Sequence, residues 1–169
     1  ITGGGAPGFT PTGTVESGNN LFYVPNMAAS IRLAPNPLID VIGISMYGNG
    51  GMNTDYAAVA NPACAGLGGG SGIFCGGKTG VNLQQALLSI AFAKAIGPLS
   101  IGVAPTIARQ QIEIEGVGPF FGFSNNAANL SNRGTDVSWG WGVRAGVEYK
   151  VMPGLRVGVA GNTPMWMQP

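Results

Sequence analysis

The segment GIFCGGKTG, residues 72–80, has the residue types and spacing of a phosphate-binding loop. It fits the pattern G-x-x-x-x-G-K-[ST], in which backbone N–H groups, Lys78 and the Thr79 hydroxyl would converge on the phosphates and Mg²⁺ of a nucleotide. Such a loop follows a buried strand, but the preceding residues 61–71, NPACAGLGGGS, do not have the composition of a strand. We therefore predict that Lys78 is solvent-exposed in a surface loop and that no nucleotide binds.

The helix that should follow a phosphate-binding loop is the remaining support for that interpretation. Residues 81–96, VNLQQALLSIAFAKAI, carry Leu83, Leu87 and Ile90 at a helical spacing. The same residues can be read as a long strand. A soluble nucleotide-binding enzyme is therefore kept as an alternative, which nucleotide binding would favour.

Other catalytic residues are scarce. The 169 residues contain no His, which excludes histidine-based triads and the common zinc sets. The carboxylates of Asp40, Glu113 and Glu115 have no partner at the spacing of metal ligands or of glycosidase acids. We predict that the chain is not an enzyme, and we expect neither a metal nor a cofactor.

The composition indicates that something other than water covers much of the surface. Only 9% of the residues are charged, against about 25% in an ordinary soluble domain, while 45% are hydrophobic. The net charge of +1 and the scattered Lys and Arg residues argue against nucleic acid as a partner. No apolar run reaches the roughly 20 residues that a membrane-spanning helix needs. A β-barrel, whose strands need only about 9–11 residues, is the other way to span a bilayer.

Strict alternation in residues 137–150, VSWGWGVRAGVEYK, predicts a strand with one apolar face. The apolar positions are Val137, Trp139, Trp141, Val143, Ala145, Val147 and Tyr149. The opposite positions are Ser138, Gly140, Gly142, Arg144, Gly146, Glu148 and Lys150. Pro153-Gly154 then predicts a tight turn into a second alternating strand. If the apolar set faces lipid, an Arg at Val143 should be costly, whereas an Arg at Gly142 or Gly146 should be tolerated.

The predicted fold is all-β: about six strands of a larger transmembrane antiparallel β-barrel. The predicted strands cover residues 21–33, 38–47, 81–96, 99–115, 137–151 and 154–167. Short turns alternate with two long surface loops at 48–80 and 116–136, an arrangement that is typical of outer-membrane barrels. Residues 1–19 are predicted to be a Gly/Pro-rich irregular lead-in, and residues 1–169 to form a single partial barrel domain.

Five segments together resemble the outer membrane protein transport family, the FadL/TodX-type channels for long-chain fatty acids and other hydrophobic compounds. They are LFYVPNMAASIRL, SMYGNGGMNTDY, GVNLQQ, LSIGVAPTIARQ and GWGVRAGVEYKVMPGLRVG, in order from about Asn20 to Met167. The resemblance implies a fourteen-stranded barrel with an N-terminal hatch in the outer membrane of a Gram-negative bacterium. Six strands cannot close such a barrel, so we expect the chain to be an internal fragment.

The function expected from this resemblance is passive uptake of hydrophobic molecules. Its expected partners are a hydrophobic small-molecule ligand and membrane lipid or lipopolysaccharide. The alternative is a structural barrel or scaffold subunit of a larger membrane assembly. Apolar side chains on exposed outer loops are a liability unless they meet an apolar partner. The expected ligand-binding residues in the two long loops are therefore Met52, Phe74, Phe120, Phe121 and Phe123.

Two further features carry expectations. Arg144 shares a strand face with Glu148 and Lys150, either as part of a hydrated ladder of charges inside the barrel or as a binding group for a ligand carboxylate. Cys64 and Cys75 lie in one Gly-rich loop, and an even pair in an oxidising compartment favours a disulfide over a metal site.

Overall fold

The computed structural model describes residues 2–3, 13–35, 38–67 and 70–169, and within them the chain is all-β. The strands are β1 (Thr2–Gly3), β2 (Gly13–Thr14), β3 (Asn26–Arg32), β4 (Val41–Tyr56), β5 (Thr79–Ile96), β6 (Leu99–Glu115), β7 (Asp136–Met152), β8 (Leu155–Asn162) and β9 (Trp166–Met167). Short 3₁₀ helices cover Pro62–Leu67, Gly118–Phe123 and Ala127–Asn129. No helix in this described part of the chain has the length and apolar character needed to cross a membrane.

The main sheet follows the order of the chain, as expected for strands joined by hairpins. Strands β3 to β8 are neighbours in sequence order, β9 also pairs with β7, and the pairing is mostly antiparallel. β1 and β2 form a separate two-stranded sheet. The turn after β7 contains Pro153 and Gly154, and Gly154 has a φ of +87° that suits glycine. The predicted all-β fold is thus confirmed.

Several strand boundaries differ from the prediction, among them the first, where residues 21–33 form a strand only over Asn26–Arg32. β4 continues to Tyr56, well into the segment 48–80 that was predicted to be a loop. Glycine and asparagine disfavour strands, so the pattern missed this part. The segment 154–167 is divided between β8 and β9, because Pro164 lies between them and lacks the N–H that a continuous ladder requires. The proposed lead-in 1–19 lies largely outside the described residues.

The contacts within the chain define two compact units, each built from three separate segments. Unit 1 comprises Ile1–Tyr23, Gly50–Gln84 and Gln111–Val137, and unit 2 comprises Val24–Asn49, Gln85–Gln110 and Ser138–Pro169. The assignment of residues 1–169 to one domain stays a prediction.

The sheet of unit 2 separates apolar from polar side chains. Across β7 and β8, Val147 is opposite Val159 and Tyr149 is opposite Val157, whereas Lys150 is opposite Arg156 on the other face. We call the two faces of this sheet the apolar face and the polar face. The apolar face includes Ile42, Ile44, Leu88, Ile90, Ile101, Val103, Val147, Tyr149, Val157 and Val159. The polar face includes Asn49, Gln85, Ser89, Thr106, Gln110, Arg144 and Asn162.

The space beside Gly142 and Gly146, where Arg is expected to be tolerated, is limited. A Cβ atom at Gly142 would lie 2.7 Å from the Met165 sulfur and 3.3 Å from the Pro164 carbonyl oxygen. At Gly146 it would lie 3.1 Å from the Cβ of Ala160. The chain after β8 folds back over Gly142, so a side chain at this position would require the Met165 side chain to move.

Candidate functional site

Lys78, the lysine of the phosphate-loop motif, is exposed and paired with two carboxylates of unit 1. Its Nζ lies 3.4 Å from Oδ1 of Asp55 and 3.3 Å from Oε2 of Glu115. These contacts link the residue before β5 to the ends of β4 and β6. Hydrogen bonding to Glu115, and then to Asp55, raises the pKa of Lys78.

The segment after this motif settles the ambiguity of residues 81–96. Strand β5 begins at Thr79 and runs to Ile96. A phosphate-binding loop places the phosphates at the N-terminus of a helix, where several N–H groups point at the anion. A strand uses those groups in its ladder instead. The described geometry around Lys78 is that of an ion pair at strand ends.

The loop before β5 is closed by a disulfide, which confirms the predicted pairing of Cys64 and Cys75. The S–S distance is 2.08 Å and the Cα atoms are 5.4 Å apart. Cys64 and Ile73 are fully buried beside it. The Asn61 side chain is also buried and donates a hydrogen bond of 3.0 Å to the carbonyl oxygen of Gly72. This loop therefore has a small core of its own.

Two of the predicted ligand residues meet within unit 1. The rings of Phe74 and Phe120 lie edge to face, with centroids 5.3 Å apart and planes inclined by 74°. Phe74 comes from the loop before β5 and Phe120 from the 3₁₀ helix Gly118–Phe123. The backbones of the same two loops also touch, because a Cβ atom at Gly76 would overlap the carbonyl oxygen of Gly116.

The other predicted residues of the long loops occupy different settings. Phe121 and Phe123 are 66% and 92% exposed on that 3₁₀ helix. Met52 lies in strand β4 and not in a loop, so its predicted setting is wrong, although its side chain is exposed. We call Phe74, Phe120, Phe121 and Phe123 the aromatic patch.

Arg144 lies on the polar face of unit 2. Its Nε donates a 2.7 Å hydrogen bond to Oδ1 of Asn162, and both residues line a cavity of about 210 Å³. Tyr47, Leu87 and Thr106 line the same cavity, so residues of β4, β5, β6 and β7 contribute to it. Side chains from strands that are three apart in the sheet, together with Thr163 and Met165 after β8, thus enclose one polar space.

Sequence reasoning missed the hydrogen bonds between side chains on this polar face. Asn49 donates to Gln85 at 2.9 Å, and Gln85 donates to Gln110 at 3.0 Å, which forms an amide ladder across three strands. Ser89 and Thr106 share a 2.7 Å hydrogen bond and are 7% and 6% exposed. Polar residues at alternate strand positions were the available signal, but only the register decides which of them meet.

Comparison with known proteins identifies no relative. No protein-family model, no curated protein and no solved structure matches this chain. Within the described residues, no group of three or more His, Cys, Asp or Glu side chains is placed to hold a metal ion.

Proposed function

We propose that this chain is part of an outer-membrane β-barrel channel for passive uptake of hydrophobic molecules, such as long-chain fatty acids or hydrocarbons, in a Gram-negative bacterium. The observation that carries the proposal is the exposed apolar face of unit 2. Ser89 and Thr106 on the polar face are buried, while Val157 and Val159 on the apolar face are 58% and 70% exposed. In water, exposed valines contribute no hydrophobic stabilisation. In the wall of a membrane barrel, the apolar side chains would face lipid and the polar side chains would face the lumen.

The polar face of unit 2 supports the same proposal. Barrel strands in membranes alternate between lipid-facing apolar side chains and polar side chains that face the lumen. The amide ladder of Asn49, Gln85 and Gln110 suits the lumen side, because these amide groups bond to one another. In lipid, the strands at the two ends of the sheet, β3 and β8, need partners for their backbone groups, so the proposed barrel includes further strands.

The aromatic patch is the proposed capture surface for the hydrophobic molecule. Phe121 and Phe123 expose large apolar rings that have no structural role in the contacts described, while Phe74 and Phe120 support each other. Exposed apolar patches mark interaction sites, and aromatic rings supply large apolar area. The proposed role of Arg144, to bind a carboxylate of the molecule inside the lumen, is a second expectation for the same route.

The test measures uptake of a fluorescent long-chain fatty acid by cells that produce the protein. The double variant Phe121→Ser/Phe123→Ser should lower the initial uptake rate and leave the amount of folded protein in the outer membrane unchanged. Tyr23→Ser is the matched control, because Tyr23 is 87% exposed in the same unit but lies outside the aromatic patch. Equal uptake by the double variant and by Tyr23→Ser would remove the patch from the route. Equal uptake by cells with and without the protein, together with a stoichiometric partner on purification, would favour the scaffold alternative.

A further inference from the structure

The aromatic patch depends on a contact between two loops of unit 1. We call residues 57–78 the disulfide loop and residues 116–135 the helical loop. Phe74 of the first packs edge to face on Phe120 of the second, and Gly76 lies against the carbonyl of Gly116 only two residues further on. Both contacts are made by the residues that immediately flank Cys75.

Cys75 itself has an unfavourable backbone conformation. Its φ of +63° lies in the left-handed region, which L residues with a side chain avoid because Cβ approaches the following carbonyl oxygen. Such conformations persist where the surrounding structure over-determines them. The bond to the fully buried Cys64 supplies that constraint, since Cys64 is anchored in the core of the disulfide loop.

We propose that the Cys64–Cys75 disulfide is a positioning element of the capture surface: it fixes the backbone at Cys75 so that the Phe74 ring stays edge-on to Phe120. The positioning itself is a property of unit 1, whereas its effect on uptake rests on the proposed function. Without the disulfide, the backbone at Cys75 relaxes out of the left-handed region and the Phe74 ring moves away from Phe120. The aromatic patch then loses its packed pair of rings.

The expected effect is on capture and not on later passage. An edge-to-face pair contributes modestly, so the fatty acid concentration at half-maximal uptake should rise between about 2-fold and 10-fold in Cys64→Ser/Cys75→Ser. The maximal rate at saturating fatty acid should stay unchanged, because the polar face of unit 2 is untouched. Phe74→Leu should show the same rise, and Phe74→Tyr, which keeps an aromatic edge, should retain the native value.

Combining these variants distinguishes positioning from general loss of loop stability. If the disulfide acts through Phe74, Phe74→Leu in the Cys64→Ser/Cys75→Ser background adds no further rise. If the disulfide only stabilises the loop, the two fold-changes multiply, and the proposal is overturned.

A spectroscopic readout tests the ring position without reference to uptake. In protein labelled with fluorinated phenylalanine, the ¹⁹F resonance of residue 120, assigned with Phe120→Leu, should shift in Cys64→Ser/Cys75→Ser as it does in Phe74→Leu. Gly76→Ala should cause the same shift, because its methyl group would force the loops apart. Gly122→Ala is the control in the helical loop, since a Cβ there meets no atom within 4 Å.

The two readouts separate failure of this inference from failure of the proposed function. An unshifted residue 120 resonance in the double cysteine variant overturns the positioning role. A shifted resonance, with uptake indifferent to every variant of the aromatic patch, upholds the positioning of the ring but overturns both its effect on capture and the proposed capture surface.

Discussion

The two units of this chain differ in how much apolar surface they expose, because most of the exposed large apolar side chains belong to unit 2. In unit 1 the buried residues include Cys64 and Ile73, while the charged Lys78 is exposed. In unit 2 the buried residues include the hydroxyls of Ser89 and Thr106, while valines such as Val159 are exposed. Both units bury apolar and polar side chains, since Leu87 and Ala108 are buried in unit 2 and Asn61 is buried in unit 1. The contrast therefore lies in the exposed apolar face of unit 2.

The contrast shows that two parts of one chain can suit different surroundings. Unit 1 has little apolar volume to bury, and it closes its loop with a covalent bond, as small secreted domains do. Unit 2 pairs several side chains of its polar face with one another and exposes the side chains of its apolar face, which supports the proposal that lipid covers them. Each of the following predictions tests this difference between the two units.

The largest effect is expected on the apolar face of unit 2. Val159→Arg should lower the free energy of folding into phospholipid vesicles by about 2–4 kcal/mol if the site lies near the bilayer midplane, because the cation meets lipid. Ala160→Arg is the matched control, since Ala160 is the next residue on the opposite face and is also exposed. Denaturant titration from vesicles measures both. Equal stability of the two variants would contradict the proposal that the apolar face of unit 2 meets lipid.

The disulfide should dominate the stability of unit 1. Closing the loop between Cys64 and Cys75, 11 positions apart, removes unfolded-chain entropy, so Cys64→Ser/Cys75→Ser should cost about 3 kcal/mol. Hydrogen exchange should accelerate in residues 59–78 and stay unchanged in β7 and β8. Thiol labelling of the denatured, non-reduced protein should modify neither cysteine. Labelling of both would contradict the pairing.

A smaller effect is expected from the buried hydroxyl pair of unit 2. Thr106→Val should cost about 1–2 kcal/mol, because it leaves the buried Ser89 hydroxyl without its 2.7 Å partner. The double variant Ser89→Ala/Thr106→Val should recover most of this loss, since both polar groups are then gone. Thermal unfolding of the native protein, of Ser89→Ala, of Thr106→Val and of the double variant in one detergent gives the coupling energy between the two hydroxyls. If the stability losses of the two single variants add up in the double variant, each hydroxyl is satisfied by water and not by its partner.

The smallest effect is expected at Lys78, whose ion pairs are exposed and screened. Hydrogen bonds to Glu115 and Asp55 raise the pKa of Lys78 above the ordinary value for lysine. Its contribution to stability is therefore complete below that ordinary pKa and is lost as the pH rises through the raised pKa. Lys78→Met should therefore change the unfolding midpoint only slightly at pH 7 and remove part of the decline in alkaline solution. A Mg²⁺-dependent binding of an ATP analogue that Lys78→Met abolishes would instead revive the nucleotide alternative.

Local patterns in the sequence predicted the strands that alternate cleanly. Residues 137–150 alternate without exception, and β7 covers them all. Pro153-Gly154 marked the turn, and two cysteines allow only one intramolecular pairing. These features depend on neighbours in the chain, because period two assigns side chains to faces and backbone dihedrals restrict turns.

Contacts between distant residues were decided only by the tertiary structure. β4 runs through the glycine-rich segment up to Tyr56 because pairing with β5 outweighs the weak strand propensity of those residues. Met165 lies over Gly142, and this contact between distant residues has no signal in the sequence. The edge-to-face pair of Phe74 and Phe120 joins residues 46 positions apart, and no periodicity links them. Composition and alternation determine which side chains share a face, whereas strand register and loop packing determine which of them touch.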